Sequence, residues 1–244
     1  MTLSADQAVR DIAIENPATV RVFESLGIDY CCGGKRPLRE ACERAKVPVE
    51  RALELLAGTN TPPSPEEAAR WKDAKLADLA AYIVEQHHAF VRREAPRLEA
   101  LAGKVAEKHG ERNPELSSIR DLFAAIAQEL FAHMMKEENL LFPYLSQMES
   151  GVLAGEPLPP PFFGSVQNPI ARMLAEHDDA GELLAQIRKQ AGGFHPPDDA
   201  CPSYRALYHG LEEFERDLHH HIHLENNILF PRAVNLERDV HVTA

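Results

Sequence analysis

At 244 residues the chain can bury a sizeable core, as one large domain or as a small one joined to a larger one. Its formal charge of −12, with 26 Lys and Arg against 38 Asp and Glu and no basic block, argues against nucleic acid or an anionic membrane as the main partner. No apolar run is long enough to span a bilayer, the opening MTLSADQAVR lacks the features of a signal peptide, and the four cysteines form no CxxC pair, so a soluble protein of the reducing cytoplasm is expected.

Residues 1–58 read as a small module of short helices. Asn16 followed by Pro17 is a helix start, and Val20, Phe23 and Leu26 then fall at helical spacing until Gly27 stops the run. A Gly-rich turn, DYCCGGKRPL, comes next, followed by two further short helices ending at VERALELLAG. The Pro-, Thr- and Ser-rich stretch at 59–72 is the expected linker.

From about 73 to 244 the pattern predicts four long helices. The first covers roughly 75–107, with Pro96 expected to bend or end it. The second covers about 116–148, its apolar stripe running through Leu122, Ile126, Leu130 and Met134. A Pro-rich insert at about 150–167 separates it from the third helix near 168–191, and the fourth covers about 203–230. With no alternating run of β-branched residues, the expected fold is all-α: an up-down four-helix bundle preceded by a small helical N-terminal domain.

Twelve histidines are the unusual total. HMMKEENLLFP at 133–143 and HIHLENNILFP at 221–231 lie 88 residues apart, and both keep His, a Glu four residues later, and the same LFP ending. The i, i+4 spacing puts His133 above Glu137, and His221 above Glu225, on one helix face. His88 precedes His133 by 45 residues and His177 precedes His221 by 44, so the spacing repeats with the motif. Four imidazoles and two carboxylates exceed the needs of one tetrahedral zinc, but suit two cations joined by Glu137 and Glu225. Iron, manganese and zinc all remain open on this ground. His87 and His88 are about 100° apart on a helix, so only one faces inward; the repeated spacing favours His88. Glu129 and Asp217, each one turn before a motif histidine, are read as solvated or as orienting an imidazole. His219, His220 and His223 are read as surface or outer residues, and the Leu-Phe-Pro endings as packing.

HMMKEENLLFP, HIHLENNILFP and AEHDDAGELL, together with DYCCGG at 29–34, resemble the repair-of-iron-centres family, a branch of the hemerythrin-like superfamily. The resemblance covers nearly the whole chain, the insert at 150–167 being its main departure. It implies a hemerythrin-like bundle holding two non-haem iron ions per chain through His88, His133, Glu137, His177, His221 and Glu225. It also implies repair of iron-sulfur clusters damaged by nitrosative or oxidative stress, through iron donation or reduction of nitric oxide to nitrous oxide. Small ligands would be NO or O₂, the clients damaged iron-sulfur proteins, and the electron donor is unidentified. A homodimer that brings the cysteines of one chain to the bundle of another is allowed by the layout. Cys31 and Cys32 are the candidate catalytic residues of the small domain, and Lys35 and Arg36 are expected to lower a thiol pKa. Two other classes stay open: a non-catalytic O₂/NO sensor or iron-storage bundle, and a dinuclear zinc or manganese hydrolase.

Overall fold

The computed structural model describes residues 3–59, 71, 73–155 and 161–242. The expected linker at 59–72 lies outside the described residues except at its ends, as do residues 156–160 of the expected insert. The regular elements among the described residues are all helical, with one isolated antiparallel bridge between Ala8 and Pro37. The chain forms two compact units, Met1–Leu79 with His219–Ala244, and Ala80–Leu218.

In the first unit the N-terminal helices are α1 (Val9–Glu15), α2 (Val20–Leu26), α3 (Leu38–Ala45) and α4 (Val49–Gly58). The Asn16 side chain accepts a hydrogen bond from the Ala18 N–H at 3.1 Å and starts a 3₁₀ turn at Pro17–Thr19 that feeds α2. Gly27, at φ 65°, ends α2 in the left-handed conformation that a helix stop requires. Val9, Ile12, Phe23, Ile28, Tyr30, Leu38, Cys42, Ala52 and Leu56 make one buried core, so the Cys42 thiol is packing.

The second unit is the bundle. Its helices come from α5 (76–109), α6 (115–154), α7 (Gln167–Gln190) and α8 (202–242), of which residues 76–79 of α5 and 219–242 of α8 belong to the other unit. Leu98, Ile119, Phe123, Ile126, Leu130, Leu184, Ile187, Leu211 and Phe214 fill the interior. Phe214 meets Phe123 edge-on with ring centroids 5.1 Å apart. The stripe of α6 enters through Phe123, which is fully buried; Leu122 is only partly so, one position off the expected register. At the bundle's edge the partly exposed Arg188 guanidinium donates to the buried Glu215 carboxylate, its Nε lying 2.7 Å from Oε2.

Three of the long helices widen locally. α5 contains a π turn at Val84–His88, α6 one at Glu137–Leu141 and α8 one at Glu225–Leu229. Such single widened turns recur at functional sites because they re-aim side chains within an otherwise regular helix. They also revise the expected boundaries. The LFP endings do not close their helices: α-helix resumes at Phe142 and at Phe230, with Pro143 and Pro231 in the first turn of each resumed segment, where a missing N–H costs least. α8 therefore runs to 242 rather than 230. α6 continues to Ala154, capped by left-handed Gly155 at φ 66°, so the start of the expected insert is helical. Pro96 lies inside α5 and does not end it.

Candidate metal centre

In the bundle unit, three helices bring His88, His133, Glu137 and His177 together. Each of these side chains is buried, Glu137 and His88 completely. His88, in the π turn of α5, sets Nε2 3.3 Å from Glu137 Oε2. His133, one turn before Glu137 on α6, sets Nε2 3.3 Å from Oε1 of the same carboxylate. His177 on α7 places its Nε2 3.0 Å from that of His133. In the other unit, the end of α8 repeats the pairing, with His221 Nε2 3.1 Å from Glu225 Oε1 and both residues fully buried.

The far side of two rings is gripped by carboxylates. His88 Nδ1 lies 2.6 Å from Glu138 Oε1, and His133 Nδ1 lies 2.8 Å from Glu176 Oε2. Burial pushes the Glu138 carboxyl up, but hydrogen bonds from His88 and Arg92 outweigh it and leave it below its ordinary value. Burial likewise raises Glu176, and Lys136, His133 and Arg172 reverse this to hold it at about 2. An ionised carboxylate only accepts, so in each pair the imidazole Nδ1 carries the proton. In the neutral ring this tautomer turns the Nε2 lone pair of His88 and of His133 inward, the form in which an imidazole binds a metal.

That tautomer decides what the centre suits. Two imidazole nitrogens face the two oxygens of a wholly buried carboxylate, with a third imidazole nitrogen alongside. With the rings neutral, these donors converge as a cation requires. Nitrogen and oxygen donors without thiolate fit iron, manganese or zinc. The residues present therefore fit a metal.

His88, rather than its neighbour, is the one that faces Glu137. His87 turns about a third of the way round the helix and meets Asp217, Nδ1 to Oδ1 at 3.0 Å, with the Tyr82 ring edge-on against it. Asp217 thus orients an imidazole, but that of His87, while Glu129 is exposed. The two carboxylates that do orient inward histidines, Glu138 and Glu176, were not singled out from sequence. Their only sequence signal is adjacency: each sits one residue from a motif position, Glu138 after Glu137 and Glu176 before His177.

Over residues 78–233 the chain matches the model of the hemerythrin HHE cation-binding domain, and over residues 5–59 that of a domain of unknown function, DUF542. It is 38% identical to the iron-sulfur cluster repair protein YtfE of Pectobacterium atrosepticum over 235 residues, which is 95% of this chain and 98% of that protein. The proteins of the same name from Dickeya chrysanthemi and Escherichia coli O157:H7 are 37% and 35% identical, covering 95% and 94% of this chain and 98% and 97% of their own lengths. The chain belongs to the repair-of-iron-centres family. Its bundle is accordingly a hemerythrin-like fold with a helical N-terminal part, and the family match joins the cation-binding and cysteine-bearing regions in one chain.

Within this family chain, two expectations for the cysteine region need correction. His223 is not a surface residue: it is 4% exposed, packs at a tilt against the Tyr30 ring with centroids 5.5 Å apart and lies 3.0 Å from the Asn227 amide. Burial and the nearby His220 depress it to about 4. Nor do Lys35 and Arg36 activate Cys31. Its thiol is pushed well above its ordinary value by the adjoining Cys32, by burial and by Asp29. Arg36 instead lies 3.8 Å from the Asp29 carboxylate and 3.6 Å from that of Glu40.

Proposed function

We propose that the chain is a non-haem di-iron protein that repairs iron-sulfur clusters damaged by nitrosative or oxidative stress, with His88, His133, Glu137, His177, His221 and Glu225 as the iron ligands. The carrying observation is the convergence at the buried Glu137, with Nε2 of His88 and His133 each 3.3 Å from one of its oxygens. Glu137 and Glu225, the two wholly buried carboxylates of the repeated motif, are the residues suited to bridge two ions. The role for which these relatives are named supports the repair reading.

Bound ferrous ions would supply electrons to a diatomic ligand such as NO or O₂, and iron to a depleted cluster. The chain's own part is to hold the ligand imidazoles in one tautomer and to keep the carboxylates dry. Glu138 and Glu176 fix the rings from outside, and Arg92, Lys136 and Arg172 keep those carboxylates ionised. The N-terminal domain would dock to the damaged client, with Cys31 and Cys32 handling electrons or NO.

The decisive experiment is metal analysis of freshly purified protein joined to an anaerobic repair assay on an NO-treated iron-sulfur dehydratase. Two irons per chain and reactivation of the client are expected. Two zincs without iron would establish the hydrolase reading instead. Stoichiometric capture of NO without client reactivation would establish the sensor or storage reading. Product analysis in the same assay separates NO reduction, which releases nitrous oxide, from iron donation, which lowers the chain's own iron content. Replacing Cys31 and Cys32 with Ser should leave the bundle's iron in place and slow repair.

A further inference from the structure

The loop at 29–34 in the first unit gathers ligand-type atoms of a different chemistry. A carboxylate oxygen of Asp29 and the sulfurs of Cys31 and Cys32 lie within 4.8 Å of one another. The two sulfurs are 3.8 Å apart, and Cys31 Sγ is 3.5 Å from Asp29 Oδ1. A tetrahedral ion with metal–sulfur bonds of about 2.3 Å and a metal–oxygen bond of about 2.0 Å subtends sulfur pairs of about 3.8 Å and sulfur–oxygen pairs of about 3.5 Å. The sulfur pair and the Cys31–Asp29 pair already stand at these spacings.

We propose that Asp29, Cys31 and Cys32 form a cation site of their own, taking one borderline-soft divalent ion, ferrous iron or zinc, through two thiolates and one carboxylate. The assignment stands on the geometry of this loop and does not require the di-iron reading of the bundle.

The loop is built in advance of any ion. Asp29 accepts the Cys31 N–H through Oδ1 at 3.1 Å and the Gly33 N–H through Oδ2 at 2.8 Å, and each oxygen keeps a second lone pair. From α8, the buried Asn227 amide donates to the Tyr30 carbonyl at 3.1 Å and reaches the Cys31 carbonyl at 3.5 Å. The two residues after the cysteines have no room for a side chain. A Cβ on Gly33 would fall 2.6 Å from Asp29 Oδ2, and one on Gly34 would fall 2.4 Å from the Tyr30 carbonyl oxygen.

Burial is graded across the three donors: Cys31 is buried, Cys32 half-buried and Asp29 exposed, so an ion enters from the solvent side. Binding exchanges two thiol protons, released to water, for one divalent cation, and the net charge of the loop is unchanged. A three-donor set leaves the fourth tetrahedral position to water or to a donor from another molecule, which suits an ion held for transfer rather than a closed structural site.

The test uses the full chain with its bundle iron-loaded, reduced and kept anaerobic, titrated with Co(II). One equivalent of Co(II) should develop thiolate-to-cobalt charge-transfer absorption. That absorption should vanish in the Cys31→Ser/Cys32→Ser variant at unchanged bundle iron, persist at weaker affinity in Asp29→Asn, and persist in Cys201→Ser. A second measurement needs no variant: saturating zinc should shield Cys31 and Cys32 from iodoacetamide while Cys201 is alkylated as before, read by peptide mass. Absence of the absorption in the wild-type chain, its survival in the double variant, or equal alkylation with and without zinc would each overturn the assignment.

Discussion

The two copies of the His-x-x-x-Glu motif keep the same inner face and have opposite outer faces. At 133–143, Met135 is 59% exposed, and the Asn139 amide, also exposed, donates to the carbonyl of its own helix at Met135, 2.7 Å away. At 221–231 the equivalent positions are His223 and Asn227, both buried, and the same amide reaches out of its helix to the backbone of the cysteine loop. The histidine and the glutamate, by contrast, are buried in both. The repeat is therefore one scaffold with two uses. Its interior face holds a pair of donors, while the exterior face is left to solvent in one copy and ties down the thiol loop in the other.

The comparison can be broken most severely at the shared face. Glu137→Ala should abolish iron retention by the bundle, measured as iron per chain after desalting, because it removes the carboxylate on which two histidine nitrogens converge. Next come the outer clamps on His88 and His133. Glu138→Gln and Glu176→Gln should each lower iron affinity about 10- to 100-fold by chelator competition, through loss of the charge that fixes the imidazole tautomer. The divergent face then separates the copies. Asn227→Ala leaves buried carbonyls without their donor and should destabilise the chain by about 1–3 kcal/mol in denaturant unfolding. Asn139→Ala and Met135→Ala, at the matching positions, should stay within about 0.5 kcal/mol. Equal effects at Asn139 and Asn227 would show that the two outer faces are not differently employed.

What the sequence disclosed was whatever repeats locally. The helical spacing of Ile126, Leu130 and Met134 located α6, and the doubled His-x-x-x-Glu located two faces that the structure shows buried. The partners that cross between helices were not legible. Nothing in the order of residues ties Glu138 to His88, 50 positions away, or Glu176 to His133, 43 positions away, because those hydrogen bonds depend on tertiary register. Asp217 stood at the matching spacing and serves His87 instead, since one step along α5 turns the ring by about 100°. His223 read as exterior because its helix alone leaves it there; the N-terminal module covers it. The π turns were hidden for a related reason: EENLL and ENNIL have no composition that separates a widened turn from an ordinary one.

Those turns also constrain how the chain can change in length. A π turn accommodates one residue more than the α-helix would, so in α6 and α8 the stretch between Glu and Phe carries a residue that regular geometry has no place for. Deleting Asn139, Leu140 or Leu141 would let the helix close to regular pitch and rotate everything after it by roughly 100°. Leu145 and Met148, now fully buried, would swing off the core line, though no side chain of the centre had been touched. In this protein the centre thus sets the phase of the helix beyond it, and a one-residue deletion there should be far more damaging than most substitutions at the same positions.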